Sequence, residues 1–332
     1  MQRKIEGGVF EIELKSKSKD EIGLLTNSFQ KMSRALGIFG RFTNKEIALL
    51  AMRGQIKPGG LPKHATIFFS DIRGFTEKSE IFTNEFGASA SDKIVYWLND
   101  YLSSMVDCVE KTGGTIDKFI GDAVMAHWGT ATTSGNPRID ALNCIKAALM
   151  MRLAVVKLNK NRNPSDKGNP EINIGCGINS GMVTAGQIGS EQRMEYTVIG
   201  DPVNLASRVE SLCKPLAADI LISEDTWLLV RDHIICEEMQ SVQVKGKEKP
   251  VRLFAVINHL QSKQKPFTLA DVRKLMNIKP PDTDNVDLNA EEKNIKLVTI
   301  KSEVTKKIKI NKGALYEWNA AAYPSAGCQC KY

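Results

Sequence analysis

The sequence predicts an α+β domain, an antiparallel sheet with helices packed on one face. Three observations predict it. Residues 66–70 (TIFFS) form a short run of apolar, β-branched and aromatic side chains, which is how a buried strand reads. Residues 115–128 (TIDKFIGDAVMAHW) hold two apolar runs on either side of Gly121-Asp122, a two-residue hairpin signal that needs positive φ at its first position. Two long stretches with apolar residues at helical spacing flank that hairpin. The order strand, helix, hairpin, helix, strand suits an antiparallel sheet covered by helices.

Each element can be justified in turn. Asp20 and Glu21 stand where a helix N-terminus favours negative charge, and Leu24, Leu25, Phe29, Met32 and Leu36 then follow at the spacing of one helix face. Residues 37–60 read as a helical linker ended by Pro58-Gly59-Gly60. After the residue 66–70 strand, Ile94, Val95, Leu98, Leu102, Met105, Val106 and Val109 mark an amphipathic helix stopped by Gly113-Gly114. Beyond the hairpin, Ile139, Leu142, Ile145, Leu149, Met150 and Leu153 mark a second long helix. Residues 171–186 read as a strand pair, with Asn179-Ser180-Gly181 as its turn. Pro202 sits just inside the next helix start, ahead of Val203, Leu205, Ala206, Val209 and Leu212. Residues 251–257 read as a strand, Lys279-Pro280-Pro281-Asp282 as a linker, and residues 298–310 alternate apolar side chains with lysine as a strand does.

Composition bounds the function. A chain of 332 residues with 42% hydrophobic residues can bury one sizeable core. The 7 cysteines are odd in number, and Cys108, Cys144 and Cys176 lie in apolar contexts, so they read as small core residues in a reducing compartment. Cys328 and Cys330, with only 4 histidines in the chain, make a poor zinc signal. The net charge is +7, and residues 259–332 carry thirteen Lys and Arg against eight Asp and Glu. The excess is therefore a basic tail rather than a basic core, which argues against nucleic acid as a partner. No apolar run approaches the length of a membrane span, and no signal peptide opens the chain.

The chemistry concentrates at two aspartates. Asp71 ends the residue 66–70 strand, and Ile-Arg-Gly-Phe-Thr follows, with Gly74 where backbone must bend or approach a ligand. A carboxylate at the mouth of a buried strand is costly unless a positive charge faces it. Asp122 occupies the hairpin tip. Two such aspartates facing one another would hold one or two divalent cations, and oxygen ligands favour Mg²⁺ or Mn²⁺. Asn204 and Arg208 lie one turn apart on one helix face, and a cluster of lysines surrounds Gly246.

Four blocks, SDIRGFT, KFIGDAVMAHWG, YTVIGDPVNLASRVE and VKGKEKP, resemble in order and spacing the class III nucleotidyl cyclases, over residues 61–258. The resemblance implies a ferredoxin-like core and cyclisation of a nucleoside triphosphate by attack of the ribose 3′ hydroxyl on the α-phosphate. It assigns two metal ions, Mg²⁺ or Mn²⁺, to Asp71, Asp122 and the carbonyl of Ile72. It gives Asn204 the ribose, Arg208 the transition-state charge and Lys245 the terminal phosphates. Lys118 and Thr197 match the base-reading positions. An ammonium donates to N1 of adenine, whereas guanine presents N1–H there and suits the carboxylate of guanylate-forming members. The resemblance therefore implies an adenylate cyclase acting on ATP, with a guanylate cyclase or a silent nucleotide-binding module as alternatives. It also implies a head-to-tail homodimer, with the metal aspartates from one protomer and Lys118, Thr197, Asn204, Arg208 and Lys245 from its partner.

DEIGLLTNSFQKM resembles the second helix of a HAMP signalling module, and GGVFEIELKSKSK its connector. The expected organisation is a partial HAMP-like segment over 1–36, the linker over 37–60, the catalytic domain over 61–258 and a basic extension over 259–332. That resemblance implies the output end of a longer receptor, on the cytoplasmic side of a membrane and linked to it through an N-terminal segment outside this chain.

Overall fold

The structure is a computed structural model, and it describes residues 20–42, 59–163, 165, 168–190, 192–244, 250–281 and 295–298. Lys245, the connector stretch before Asp20, residues 43–58 of the linker, the Cys328–Cys330 pair and most of the residue 298–310 alternation lie outside those residues; the expected linker residues Gly59 and Gly60 instead begin a strand.

Helix α1 spans Glu21–Phe42, and the Asp20 carboxylate caps it by accepting from the N–H groups of Ile22 and Gly23 at 3.0 and 3.2 Å. Then follow β1 (Gly59–Ile72), α2 (Phe75–Phe86), α3 (Ala90–Lys111), β2 (Thr115–Ile120), β3 (Ala123–Trp128), α4 (Pro137–Asn161), β4 (Ile174–Ser190), β5 (Arg193–Ile199) and α5 (Asp201–Ser211). The remainder is β6 (Ile220–Ser223), α6 (Glu224–Val230), β7 (Ile234–Glu238), β8 (Ser241–Val244), β9 (Leu253–His259), α7 (Leu269–Leu275) and β10 (Ile295–Val298).

Strands β2-β3-β1-β4-β6-β9-β7 pair in that order, and β5 pairs with the far end of β4. All these pairings are antiparallel except β4 with β6. This is the expected α+β architecture. Along β1, side chains alternate between two cores. Phe68 and Ile72 join a large cluster with Tyr101 and Met105 of α3, Ile145 and Met151 of α4, and Trp128 of β3. Ala65 and Ile67 join a smaller cluster on the opposite face with Met125, Val183, Val198 and Ala206.

Two expectations need correction. The helices do not all lie on one face, because α5 crosses the face opposite α3 and α4. Its backbone presses on Gly177, where a Cβ would stand 2.1 Å from the Glu210 nitrogen. Nor do residues 179–181 turn. They continue β4 without a break, paired with Ile67, Thr66 and Ala65 of β1. The small polar residues serve close neighbours instead. Asn179 donates to the Pro202 carbonyl at 2.9 Å, and Ser180 shares hydroxyl contacts with Thr66 and Thr226. A local turn propensity loses here to tertiary packing.

Beyond β9, α7 starts with a Thr268/Asp271 capping box and buries Leu269, Val272 and Met276 in the large cluster. Strand β10 pairs with β8. Arg152 of α4, only 2% exposed, clamps the sheet. It donates to both oxygens of Asp219 at 2.5 and 2.9 Å and to the carbonyls of Val256 and Ile257. Removing the carboxylate leaves a buried cation without its counter-charge. Asp219→Ala should therefore lower the unfolding free energy by about 3–5 kcal/mol in a urea titration. A loss under about 1 kcal/mol, the size expected of a surface pair, would contradict that reading.

Candidate active site

The register of β1 builds the first half of the site. Ser70 stands opposite Val124, so the strand's last residues come level with the β2–β3 turn. That turn is Gly121-Asp122, with Gly121 at φ +66°, the left-handed conformation the hairpin needs. Asp122 Oδ2 accepts the Ile72 N–H at 3.1 Å. The hairpin tip is thereby pinned to the end of β1, and Asp71, Ile72 and Asp122 come together.

Asp71 pairs across the ladder with Gly175, on the face that α5 covers. Burial pushes its carboxyl up to about 8, and the hydrogen bond that its protonated form donates to Asp122, the charge of Asp122 and the charge of Glu210 add to the rise. Asp71 Oδ1 is buried without a hydrogen-bond partner. Adjacent carboxyls, one of them with an orphaned oxygen, suit a hard divalent cation. Among the described residues no group of three or more His, Cys, Asp or Glu is arranged for a metal. A two-carboxylate site of this kind leaves positions open for water and phosphate oxygens, as Mg²⁺ requires.

The second half gathers around a residue that sequence reasoning passed over. Lys118 and Thr197 come from β2 and β5, and Asp117 joins them. The Thr197 hydroxyl donates to Asp117 Oδ2 at 2.7 Å, and the Lys118 ammonium lies 3.4 Å from Asp117 Oδ1. Lys118 also donates to Glu195 at 2.8 Å, which raises its pKa, with Asp117 adding to the rise against a burial penalty. His127, fully buried, places Nε2 3.5 Å from Asp117 Oδ2 and shares a 2.6 Å hydrogen bond with Thr130 through Nδ1. Burial of Asp117 works against its charge. The close approach of His127 and the hydrogen bond from Thr197, with the nearby Lys118, outweigh it and hold the carboxyl below its ordinary value.

The pairing of β2 with β3 explains how two consecutive residues reach one cluster. Ile116 faces Ala126 and Lys118 faces Met125, so Asp117 is the extra residue of a β-bulge. Regular alternation would send Asp117 and Lys118 to opposite faces. The signal in the sequence was a lone Asp within a strand pattern, a residue type that strands disfavour.

Asn204 and Arg208 lie one turn apart on α5, Asn204 exposed and Arg208 half-buried. Pro202 in the first turn of α5, after Gly200, fixes where that helix begins. Lys245 is not among the described residues.

The architecture and these blocks have known counterparts. An adenylate cyclase of Anabaena cylindrica is 37% identical over 262 residues, covering 71% of this chain and 48% of that protein. This chain thus spans about half the length of that relative. The crystal structure of the adenylyl cyclase CyaB from P. aeruginosa matches with a TM-score of 0.53 at 37% identity, over 63% of this chain and 98% of that one. The guanylyl cyclase Cya2 matches with a TM-score of 0.54 at 33% identity, over 63% of this chain and all of that one. The model of the adenylate and guanylate cyclase catalytic domain covers residues 62–258, more than half of the sequence, and the chain belongs to that family.

Proposed function

We propose that this chain is an adenylate cyclase, forming 3′,5′-cyclic AMP and pyrophosphate from ATP. The observation that carries the reading is the Asp71–Asp122 pair, held together at the end of β1 with a buried oxygen left without a partner. Asp71, Asp122 and the Ile72 carbonyl would hold two divalent cations. Bound there, the cations would lower the pKa of the ribose 3′ hydroxyl and neutralise the leaving phosphates. Arg208 would offer a planar fork to the phosphate oxygens, Lys245 would engage the terminal phosphates, and Asn204 would orient the ribose. Lys118 donating to adenine N1 and Thr197 accepting from the amino group supply the base choice. The Anabaena and P. aeruginosa relatives, both named as adenylate-forming enzymes, support that choice, whereas Cya2 is named as guanylate-forming.

The site belongs between two copies of the chain. Lys118 and Asp122 lie on one hairpin, about 13 Å apart if extended, so one nucleotide does not easily place base and phosphates on the same protomer. Exposed apolar side chains support a docking face: Leu61, Met182 and Ile199 on β1, β4 and β5, and Phe119 and Ile120 near the hairpin tip. The second copy would supply what each half lacks.

Helix α1 supports the reading as a signalling output. Ile22, Leu25, Phe29 and Met32 recur at the 3-4-3 spacing of a coiled-coil seam, and Ile22, Leu25 and Met32 are exposed. A second α1 would cover that seam. In this reading α1 belongs to a HAMP-like module that couples the catalytic dimer to a membrane receptor. Among the described residues no helix is long and apolar enough to cross a membrane.

Purified chain with Mn²⁺ should convert ATP to cyclic AMP at least about tenfold better than it converts GTP, and Asp71→Ala should abolish the product. Cyclic GMP as the main product would overturn the base choice, and an active Asp71→Ala would overturn the metal assignment.

Mixing two inactive variants, Asp71→Ala and Arg208→Ala, should restore about a quarter of wild-type activity. Half the dimers would be mixed, each with one intact site. A site built within one protomer gains nothing from mixing.

In the metal-free chain, Asp71 keeps its proton in the folded state up to about 8, whereas the unfolded carboxyl loses it near 3.8. The folded state therefore binds the extra proton between those values, and its stability falls as pH rises through that window. Melting curves at stepped pH should show this fall diminished in Asp71→Asn, with added Mn²⁺ opposing it in the wild type. Identical pH dependence in both proteins would count against it.

A further inference from the structure

We propose that Asp117 is a positioning residue for purine selectivity, acting by fixing the direction of the Thr197 hydroxyl. The inference rests on the proposed reading of Lys118 and Thr197 as the base-contacting pair. An ionised carboxylate only accepts hydrogen bonds, and a threonine hydroxyl has one proton to give. Asp117 Oδ2, 2.7 Å from Thr197 Oγ1, takes that proton. Thr197 then offers a ligand only lone pairs.

A lone pair suits the 6-amino group of adenine and repels the 6-oxo group of guanine. A threonine without this constraint would rotate its hydroxyl and serve either base. Lys118 distinguishes the bases at N1 but not at C6, because an ammonium also donates to a 6-oxo oxygen. The discrimination at C6 therefore passes through a residue that does not touch the base.

Three observations place Asp117 in this role rather than in plain structural support. Its side chain is fully buried, whereas Lys118 beside it is 37% exposed. It is the extra residue of the β2 bulge, which brings it onto the same cluster as the lysine that follows it. Its oxygens divide the work: Oδ2 takes the Thr197 hydrogen bond, whereas Oδ1, which accepts no hydrogen bond, faces the Lys118 ammonium at 3.4 Å as an ion pair. One carboxylate thus sets the hydroxyl as acceptor and steadies the ammonium as donor, the pattern complementary to the adenine edge.

The test compares kcat/KM for ATP, GTP and purine riboside 5′-triphosphate, which has hydrogen at C6, using the full chain with Mn²⁺. The wild type should prefer ATP to purine riboside triphosphate by about tenfold, the worth of one hydrogen bond to the amino group. Equal use of the two overturns the proposal without any variant, so a poorly folding mutant does not shield it. Asp117→Asn keeps the shape and lets the side chain donate to Thr197. It should cut the ATP/GTP ratio about tenfold, and on a Thr197→Val background it should leave the ratio unmoved. A structural role would lower both nucleotides alike, and an unchanged ratio in Asp117→Asn overturns the proposal. A wild type that prefers GTP removes the underlying base assignment. A wild type that prefers ATP with an unshifted Asp117→Asn removes only the inference.

Discussion

The placement of β1 between β3 and β4 is the constraint on which the rest depends. It is paired along its length on one side by β4 and over its second half by β3. That double pairing fixes the face of every side chain, because a slip of one residue would exchange the two cores. Phe68 and Ile72 would leave the large cluster, and Ala65 and Ile67 would enter it. The same register carries the hairpin tip to Ile72 and turns Asp71 toward α5. The chemistry at the sheet's end is thus a by-product of how its centre is packed.

The two halves of the site use opposite electrostatic strategies. Around Asp71, like charges converge in a partly buried place, and burial with those charges raises its carboxyl above the ordinary range. Around Asp117, a buried carboxylate is compensated from within by Thr197, Lys118 and a histidine. The first cluster is the one proposed to receive a cation. The second holds its carboxylate with a neighbouring hydroxyl and ammonium of the same chain.

Much of this was legible before any coordinates. Asp71 and Asp122 stood out because each interrupts an apolar run, and the Gly-Asp pair carries its own turn chemistry. Helices α3 and α4 followed from periodicity, which reports burial of a long face directly. The failures have separate causes. Asn179, Ser180 and Gly181 have turn-forming character, but their size is set by Pro202, Thr226 and β1, which no local window contains. Asp117 hid beside a lysine, where it reads as one half of a solvated pair. The bulge that inverts its facing leaves no trace in a pattern of period two. Helix α7 escaped notice because it is short, and its capping box is a subtler signal than a long stripe.

The bulge at Asp117 bears on any attempt to transplant the proposed base pocket onto another sheet. Copying Lys118 and Thr197 into a regular hairpin would reproduce the letters but not the facing. Without the additional residue, the carboxylate and the ammonium would part to opposite sides of the strand. The portable unit is therefore a length of backbone with an irregularity in it. A designer who idealised that strand would erase the irregularity as a defect.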